Sequence, residues 1–211
     1  MASRIISALN GSRKVLWLIC GGSNIAGASD AMSMIRDEVL PHMLPNLTVG
    51  QTDERYGPVG HADSNWQQMK DNGFGFDDIK TLPILEDKPL AETVADYASK
   101  IGHAISATRE NGGLIIAQFG MGADGHIAGM LPRSQAVNDT KLVSGYEGKP
   151  FTRISLTPTA LRMIQVAYAF VFGATKARAV TDLRDKALPL EEEPAQILKQ
   201  IPEASLASDS L

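Results

Sequence analysis

The 211-residue sequence contains a single cysteine, Cys20, and this scarcity excludes several kinds of site. One cysteine cannot form a disulfide within the chain, nor can it supply a multi-cysteine metal site. The sequence also lacks an H-E-x-x-H motif, a G-x-S-x-G elbow, a Walker A lysine loop and a calcium-binding loop. We therefore expect no metal ion bound by the protein.

Long apolar runs, internal repeats and linker-like segments are absent as well. No run reaches the length that spans a bilayer, and the N-terminus lacks an apolar segment followed by a small-residue cleavage site. The sequence therefore predicts a cytoplasmic protein that does not contact a membrane. Its length and even composition predict one domain over residues 1–211.

The sequence has no concentration of positive charge. Its formal net charge is -4, and its Lys and Arg residues are scattered rather than gathered in a stripe. This pattern argues against a nucleic-acid partner. A small anionic ligand remains compatible with it, because two or three local cations are enough to bind one.

Apolar segments of strand length recur along the chain with helical segments between them. They lie at 14–20, 47–51, 114–119, 153–156 and 167–172. This alternation predicts an α/β fold, a single-domain, mostly parallel, doubly wound (Rossmann-like) sheet with helices on both faces.

Several helices can be placed from their spacing and their caps. Apolar residues at spacings of three and four predict the longest helix at 90–110, and another begins near Ala26. Thr157 followed by Pro158 predicts a helix through Gln165, and Asp63-Ser64 is a possible cap for one through Lys70. After residue 188, prolines predict a short helix and then a frayed end.

The most informative segment is the loop that follows the strand at 114–119, with the sequence G-M-G-A-D-G-H from Gly120 to His126. Ligands of open parallel sheets bind beyond the carboxyl ends of the strands. His126 lies near Asp124 and flexible glycines at such a strand end, and this combination indicates a ligand-binding site. Gly122 is a candidate contact in that site. The loop also spells G-x-G-x-x-G, but Pro132 interrupts the long helix that a dinucleotide site requires.

Polar residues follow the other strands too. Gly21, Gly22 and Ser23 can present backbone N–H groups and a hydroxyl to a phosphate, although a Gly-Gly turn is more often only a turn. Lys176, in another strand-to-helix turn, and Arg153 could converge on the same oxygens. The charged stretch 53–56 either is a solvated loop or serves a ligand.

These segments together resemble the 6-phosphogluconolactonases, within the superfamily that includes the glucosamine-6-phosphate deaminase/isomerases. The resemblance rests on C-G-G-S at 20–23, T-D-E-R-Y at 52–56 with D-S-N at 63–65, the block at 119–132, R-I-S-L-T at 153–157 and G-A-T-K-A at 173–177. Deaminases typically have Tyr where this chain has Arg55 and Glu where it has Leu131, which favours the lactonase branch. Asn24 departs from the usual G-G-S-T-P.

The resemblance implies hydrolysis of a phosphosugar lactone, 6-phosphogluconolactone, without a cofactor. It implies His126 as the general base, oriented by Asp124 or Asp53, and Arg55 near the sugar or the developing negative oxygen. The predicted phosphate contacts are Gly21, Gly22, Ser23, Arg153 and Lys176, and Asn24 is a further predicted substrate contact. Two alternatives stay open, an amino-sugar-phosphate isomerase/deaminase and a sugar-phosphate-binding module without turnover.

Overall fold

The computed structural model describes residues 1–209 of the chain, and its largest element is a six-stranded sheet. The strands are β1 (Val15–Ile19), β2 (Leu47–Gln51), β4 (Lys80–Leu82), β5 (Leu114–Phe119), β8 (Val166–Val171) and β9 (Glu203–Ser208). They lie in the order β4-β2-β1-β5-β8-β9, and every neighbouring pair is parallel. The predicted α/β fold with a mostly parallel sheet is confirmed.

A second, smaller sheet was not predicted. It consists of β3 (Asp53–Arg55), β6 (Val143–Glu147) and β7 (Thr152–Leu156), in the antiparallel order β3-β7-β6. The prediction that the strand at 153–156 belongs to the parallel sheet was therefore wrong. A short apolar run shows that a strand is buried, but it does not show which neighbour the strand pairs with.

The described chain has seven α-helices, six of which lie between strands. They are α1 (Ala2–Asn10), α2 (Ile25–Glu38), α3 (Asn65–Asp71), α4 (Leu90–Glu110), α5 (Gln135–Asn138), α6 (Pro158–Leu161) and α7 (Ala177–Asp185). The longest helix, α4, has the predicted bounds of 90–110. The Ser64 hydroxyl accepts a hydrogen bond of 3.1 Å from the backbone N–H of Gln67 and so caps α3. In contrast, α6 ends at Leu161, four residues before the predicted end.

The core lies on both faces of the large sheet. Along β1, Leu16 and Leu18 pack into one apolar cluster and Trp17 packs into the other. Helices α1 and α2 cover the Trp17 side, whereas α4 and α7 contribute to the opposite cluster, which also includes residues of the small sheet. The two sheets therefore share a core, and the predicted helices on both faces are confirmed.

The end of the chain differs from its prediction. Residues 194–200 form a 3₁₀ helix, and β9 then pairs in parallel with β8 at the sheet edge, where a frayed end was expected. Ala and Ser fill most of β9, so strand propensity does not reveal it. The carboxylate of Asp209 accepts hydrogen bonds of 3.1 and 3.0 Å from the backbone N–H of Gly173. Residues 210–211 of the predicted end lie outside the described residues.

Within residues 1–209, none of the helices combines the length and the apolar character needed to cross a membrane.

Candidate active site

The turns after β1, β5 and β8 meet β3 and β7 around one cavity of about 290 Å³. Its walls are formed by Cys20, Gly21, Gly22, Ser23, Asn24, Asp53, Arg55, Asn65, Gly120, Met121, Gly122, His126, Ala128, Gly129, Arg153 and Lys176. Every residue that the sequence analysis named as a site residue is in this lining, apart from Asp124. Parallel strands explain this convergence, because their carboxyl ends meet at one edge of the sheet.

Asp124 lies behind the cavity wall, in contact with the His126 ring. Its Oδ1 is 2.6 Å from His126 Nδ1 and accepts the backbone N–H of His126 at 3.2 Å. The hydrogen bond from the His126 side chain lowers the pKa of Asp124 to about 2, so this carboxylate is ionised at neutral pH. An ionised acceptor at Nδ1 keeps the ring proton there, and in the neutral imidazole Nε2 is then free to accept one.

Asp53 makes different contacts. Its Oδ1 accepts a hydrogen bond of 2.8 Å from the Thr52 hydroxyl, and its Oδ2 lies 3.4 Å from the side-chain nitrogen of Asn65. The sequence left open which of the two carboxylates orients the imidazole. The hydrogen bond to Nδ1 is made by Asp124.

Gly122 leaves room for the imidazole. A Cβ atom at this position would lie 2.2 Å from both Cε1 and Nδ1 of His126. The loop is closed by hydrogen bonds of 3.0 Å from Gly122 N–H to the His126 carbonyl and from Gly125 N–H to the Gly122 carbonyl. The position of the ring therefore depends on the absence of a side chain at residue 122.

The glycine-rich turn after β1 leads directly into α2. Residues 22–24 form a 3₁₀ turn, and Gly22 has a φ of 74°, a conformation that favours glycine. Gly21 packs against Asn65, whose Oδ1 would lie 1.8 Å from a Cβ atom at residue 21. The turn thus lines the cavity at the start of a 14-residue helix, where helical N–H groups lack partners within the helix, a setting that suits an anion.

Asn24 lies in the same turn, but its amide nitrogen already has partners. It donates hydrogen bonds to the carbonyl oxygens of Phe119 at 3.0 Å and of Phe170 at 3.1 Å. The side chain therefore ties together the ends of β5 and β8. Asn24, which was predicted to bind substrate, thus also connects two strands of the large sheet.

The cationic side chains of the cavity are not neutralised by salt bridges. Arg55, Arg153 and Lys176 form no salt bridge with any carboxylate of residues 1–209, and Asp53 is the one carboxylate in the lining within that range. Arg55 and Arg153 are also direct partners in the β3–β7 pairing. Like charges opposite each other are unfavourable in a sheet. The excess of positive charge indicates a site for an anion.

Glu54, between two cavity residues, is neither solvated nor available to a ligand. It is 0% exposed. Its carboxylate accepts five hydrogen bonds, from Gln51 Nε2 at 2.8 Å, Arg55 N at 2.7 Å, Ser64 Oγ at 2.9 Å, Asn65 N at 2.7 Å and Trp66 N at 3.0 Å. Two of these donors are first-turn N–H groups of α3, which lack partners within the helix. Glu54 therefore fixes α3 to β3.

Cys20 lies in the cavity wall as an unreactive thiol. Burial raises its pKa to about 12, with Asp53 as a weaker cause in the same direction. Nucleophilic chemistry of cysteine requires the thiolate. The cavity therefore contains no cysteine nucleophile at neutral pH.

Asn65 is the main polar residue of the cavity that the sequence analysis did not select. Its side-chain nitrogen donates to the Asp53 carbonyl at 3.0 Å. The D-S-N block contained the relevant signal, because it places a buried amide at the start of a capped helix next to charged β3. Its link to the cavity depends on the contact with Gly21, which is distant in sequence.

The chain is similar to known proteins along most of its length. The family model described as glucosamine-6-phosphate isomerases/6-phosphogluconolactonase matches residues 1–206. The human 6-phosphogluconolactonase is 24% identical over 206 residues, and the match covers 90% of this chain and 78% of the human protein.

Solved structures share the fold. The 6-phosphogluconolactonase of Thermotoga maritima superimposes with a TM-score of 0.75 at 20% identity, over 98% of this chain and 94% of that one. A monomeric glucosamine-6-phosphate deaminase gives a TM-score of 0.74 at 18% identity, over 99% of this chain and 91% of that one. The fold alone therefore does not separate the two activities. Since the family model extends over nearly the whole sequence, the chain belongs to the family of glucosamine-6-phosphate isomerases and 6-phosphogluconolactonases.

Proposed function

We propose that the protein hydrolyses 6-phosphogluconolactone to 6-phosphogluconate. The observation that carries this proposal is the cavity itself, where His126, hydrogen-bonded by Asp124 from outside the lining, shares the walls with three cations that have no carboxylate partner within residues 1–209. A general base and an anion site in the same small cavity suit a substrate that is an ester and also carries a phosphate. The expected cytoplasmic location stays a prediction.

In the proposed reaction, water attacks the ester carbonyl while Nε2 of His126 takes a proton from it. The new C–O bond forms, the ring C–O ester bond breaks, and the departing ring oxygen receives that proton back from Nε2 of His126 to become a hydroxyl. Asp124 holds the Nδ1 proton and so keeps Nε2 in its accepting form. Arg55 stabilises the negative charge that develops on the carbonyl oxygen, or contacts the sugar.

The phosphate would lie against the Gly21–Ser23 turn, Arg153 and Lys176. The positive charge of these groups and the N-terminus of α2 both favour an anion there. Gly122 and Asn24 complete the proposed binding wall, and Asp53 would act through its contact with Asn65. No step requires a cofactor.

Two positions favour hydrolysis over deamination. Arg55 replaces the tyrosine typical of deaminases and lines the cavity. Leu131 replaces their glutamate, and its backbone N–H donates to the Tyr146 hydroxyl at 3.1 Å. An apolar side chain cannot take part in acid–base chemistry, so the apparatus for amino-sugar isomerisation is incomplete.

The direct test is a coupled assay of freshly prepared 6-phosphogluconolactone, in which the product is oxidised by an added dehydrogenase. This lactone also hydrolyses unaided, so the rate is compared with and without the protein. We expect acceleration by the protein and no ammonia release from glucosamine 6-phosphate. Binding of 6-phosphogluconate without acceleration would identify a binding module instead.

Lys176→Ala should raise KM about tenfold or more and change kcat much less. The phosphate does not change charge during hydrolysis, so a cation that holds it binds ground state and transition state alike. Steady-state kinetics checks this, with the exposed Lys70→Ala as the control for loss of one charge. A collapse of kcat at unchanged KM would assign Lys176 to the reacting centre.

Gly122→Ala should lower kcat at least tenfold while the protein remains folded. The added Cβ would overlap the His126 ring and lie 2.6 Å from Asp124 Oδ1, so this hydrogen-bonded pair must shift. Small displacements of a catalytic group cost orders of magnitude in rate. Gly27→Ala in α2 is the matched control, because a Cβ atom there has no neighbour within 4 Å. Equal rates for the two variants would contradict the assigned position of the ring.

A further inference from the structure

Arg55 is held in the cavity without a carboxylate. Its Nη1 donates to the carbonyl oxygen of Asp63 at 2.9 Å, and its Cζ lies 5.5 Å from the centre of the Phe151 ring. This distance is within the range of a cation–π interaction. Its Nε is buried and has no hydrogen-bond partner in the described structure. The guanidinium is therefore oriented by one carbonyl and one aromatic face.

These two contacts orient the guanidinium without neutralising it. A carboxylate partner would compete with an anionic or electron-rich ligand for the same N–H groups, whereas a ring face leaves the in-plane donors available. Arg153 lies directly across the β3–β7 pairing and repels Arg55. Without an opposing attraction, the long side chain of Arg55 would gain both entropy and solvation by turning out of the cavity.

Phe151 is well placed to supply that attraction. It is half-buried, directly precedes β7, and is not among the residues that line the cavity. The backbone next to it is fixed to β3, because Tyr56 N–H donates to the Thr152 carbonyl at 2.9 Å. The ring is thus attached to the same small sheet that carries both arginines.

We infer that Phe151 is a positioning residue that holds the Arg55 guanidinium toward the substrate through its aromatic face. The role of Arg55 toward a lactone rests on the proposed function, whereas the orientation of the guanidinium does not. The inference is therefore tested by two measurements, one on the arginine itself and one on turnover.

The first measurement is the NMR signal of the Arg55 side chain in the ligand-free protein. Protons above an aromatic ring are shifted upfield by its ring current. We expect this shift in the wild type and in Phe151→Tyr, and its loss in Phe151→Leu, which keeps the apolar bulk and removes the ring face. Titration with 6-phosphogluconate should move the Arg55 signal, with about three- to tenfold weaker binding to Phe151→Leu.

The second measurement is a double-mutant cycle in kcat/KM for lactone hydrolysis. Phe151→Leu should lower kcat/KM about three- to tenfold, and Phe151→Tyr should stay within about twofold of the wild type. In an Arg55→Ala background, Phe151→Leu should cost nothing further, because its effect passes through Arg55. A purely structural role would give the same loss in both backgrounds.

Phe76→Leu is the matched control, since Phe76 is also half-buried, but its ring packs against the rings of Trp66 and Phe74 and the apolar core instead of Arg55. It should leave the Arg55 signal and kcat/KM unchanged.

The inference is overturned if Phe151→Leu keeps the upfield shift and the wild-type affinity for 6-phosphogluconate. If the wild type binds this compound but hydrolyses no lactone, the proposed function fails, and loss of shift and affinity in Phe151→Leu still supports the inference.

Discussion

His126→Ala should lower kcat for 6-phosphogluconolactone hydrolysis by about 10²- to 10⁴-fold, the usual contribution of a positioned general base. The imidazole is the one cavity group of residues 1–209 that combines a hydrogen-bonded carboxylate behind it with a free nitrogen in front. KM should change little, because a neutral base contributes more to the transition state than to substrate binding. The coupled assay, corrected for spontaneous hydrolysis, measures both constants.

The control for this variant is His103→Ala, because His103 is exposed on α4 and lies outside the loop at 120–126. It should keep the wild-type kcat. Thermal unfolding of both variants separates chemistry from folding, since His126 is half-buried and its replacement leaves no large cavity. Near wild-type turnover by folded His126→Ala would show that another group takes the proton from water.

Glu54→Ala should lower the free energy of unfolding by about 3 kcal/mol or more, because it leaves several buried donors without an acceptor. Five donors converge on this carboxylate, including the N–H groups of Asn65 and Trp66 at the start of α3. Each buried donor left unpaired costs about 1–3 kcal/mol before the structure relaxes. Urea denaturation followed by circular dichroism measures the loss.

Glu54→Gln refines this prediction. The variant keeps the volume, but its NH₂ group would face donors instead of accepting from them, so we expect most of the loss to remain. Glu147→Gln in β6 is the matched control, because Glu147 is exposed and should lose less than about 0.5 kcal/mol, as surface substitutions usually do. If Glu54→Gln were as stable as the control, the five-bond network would not be a major source of stability.

The parts of the site that follow parallel strands could be predicted from the sequence. Gly21, Gly122 and Lys176 each follow an apolar run, and the geometry of a parallel sheet brings such positions to one edge. The apolar runs that precede these residues were therefore enough to predict that they lie at the site. The cap at Ser64 and the bounds of α4 could be predicted for the same reason, whereas the Thr157 side chain makes no capping hydrogen bond to α6.

The antiparallel sheet could not be predicted in this way. Residues 53–55 are all charged, which resembles a solvated loop, and only their pairing with β7 shows why Glu54 is buried. The choice between Asp124 and Asp53 likewise depended on side-chain direction, which spacing does not give. β9 was missed because pairing with β8, rather than the propensity of its small residues, makes it a strand.

The β3–β7 pairing also determines when, during folding, Arg55 and Arg153 come together in the cavity. Arg55 and Arg153 meet only through this ladder, although β4, α4, β5 and β6 lie between them in the chain. Closing so long a segment costs entropy that early folding contacts do not repay. A chain in which β3 and β7 have not paired cannot bring these two charges together. Under the proposed function, binding of a phosphorylated ligand thus requires that the small sheet has formed.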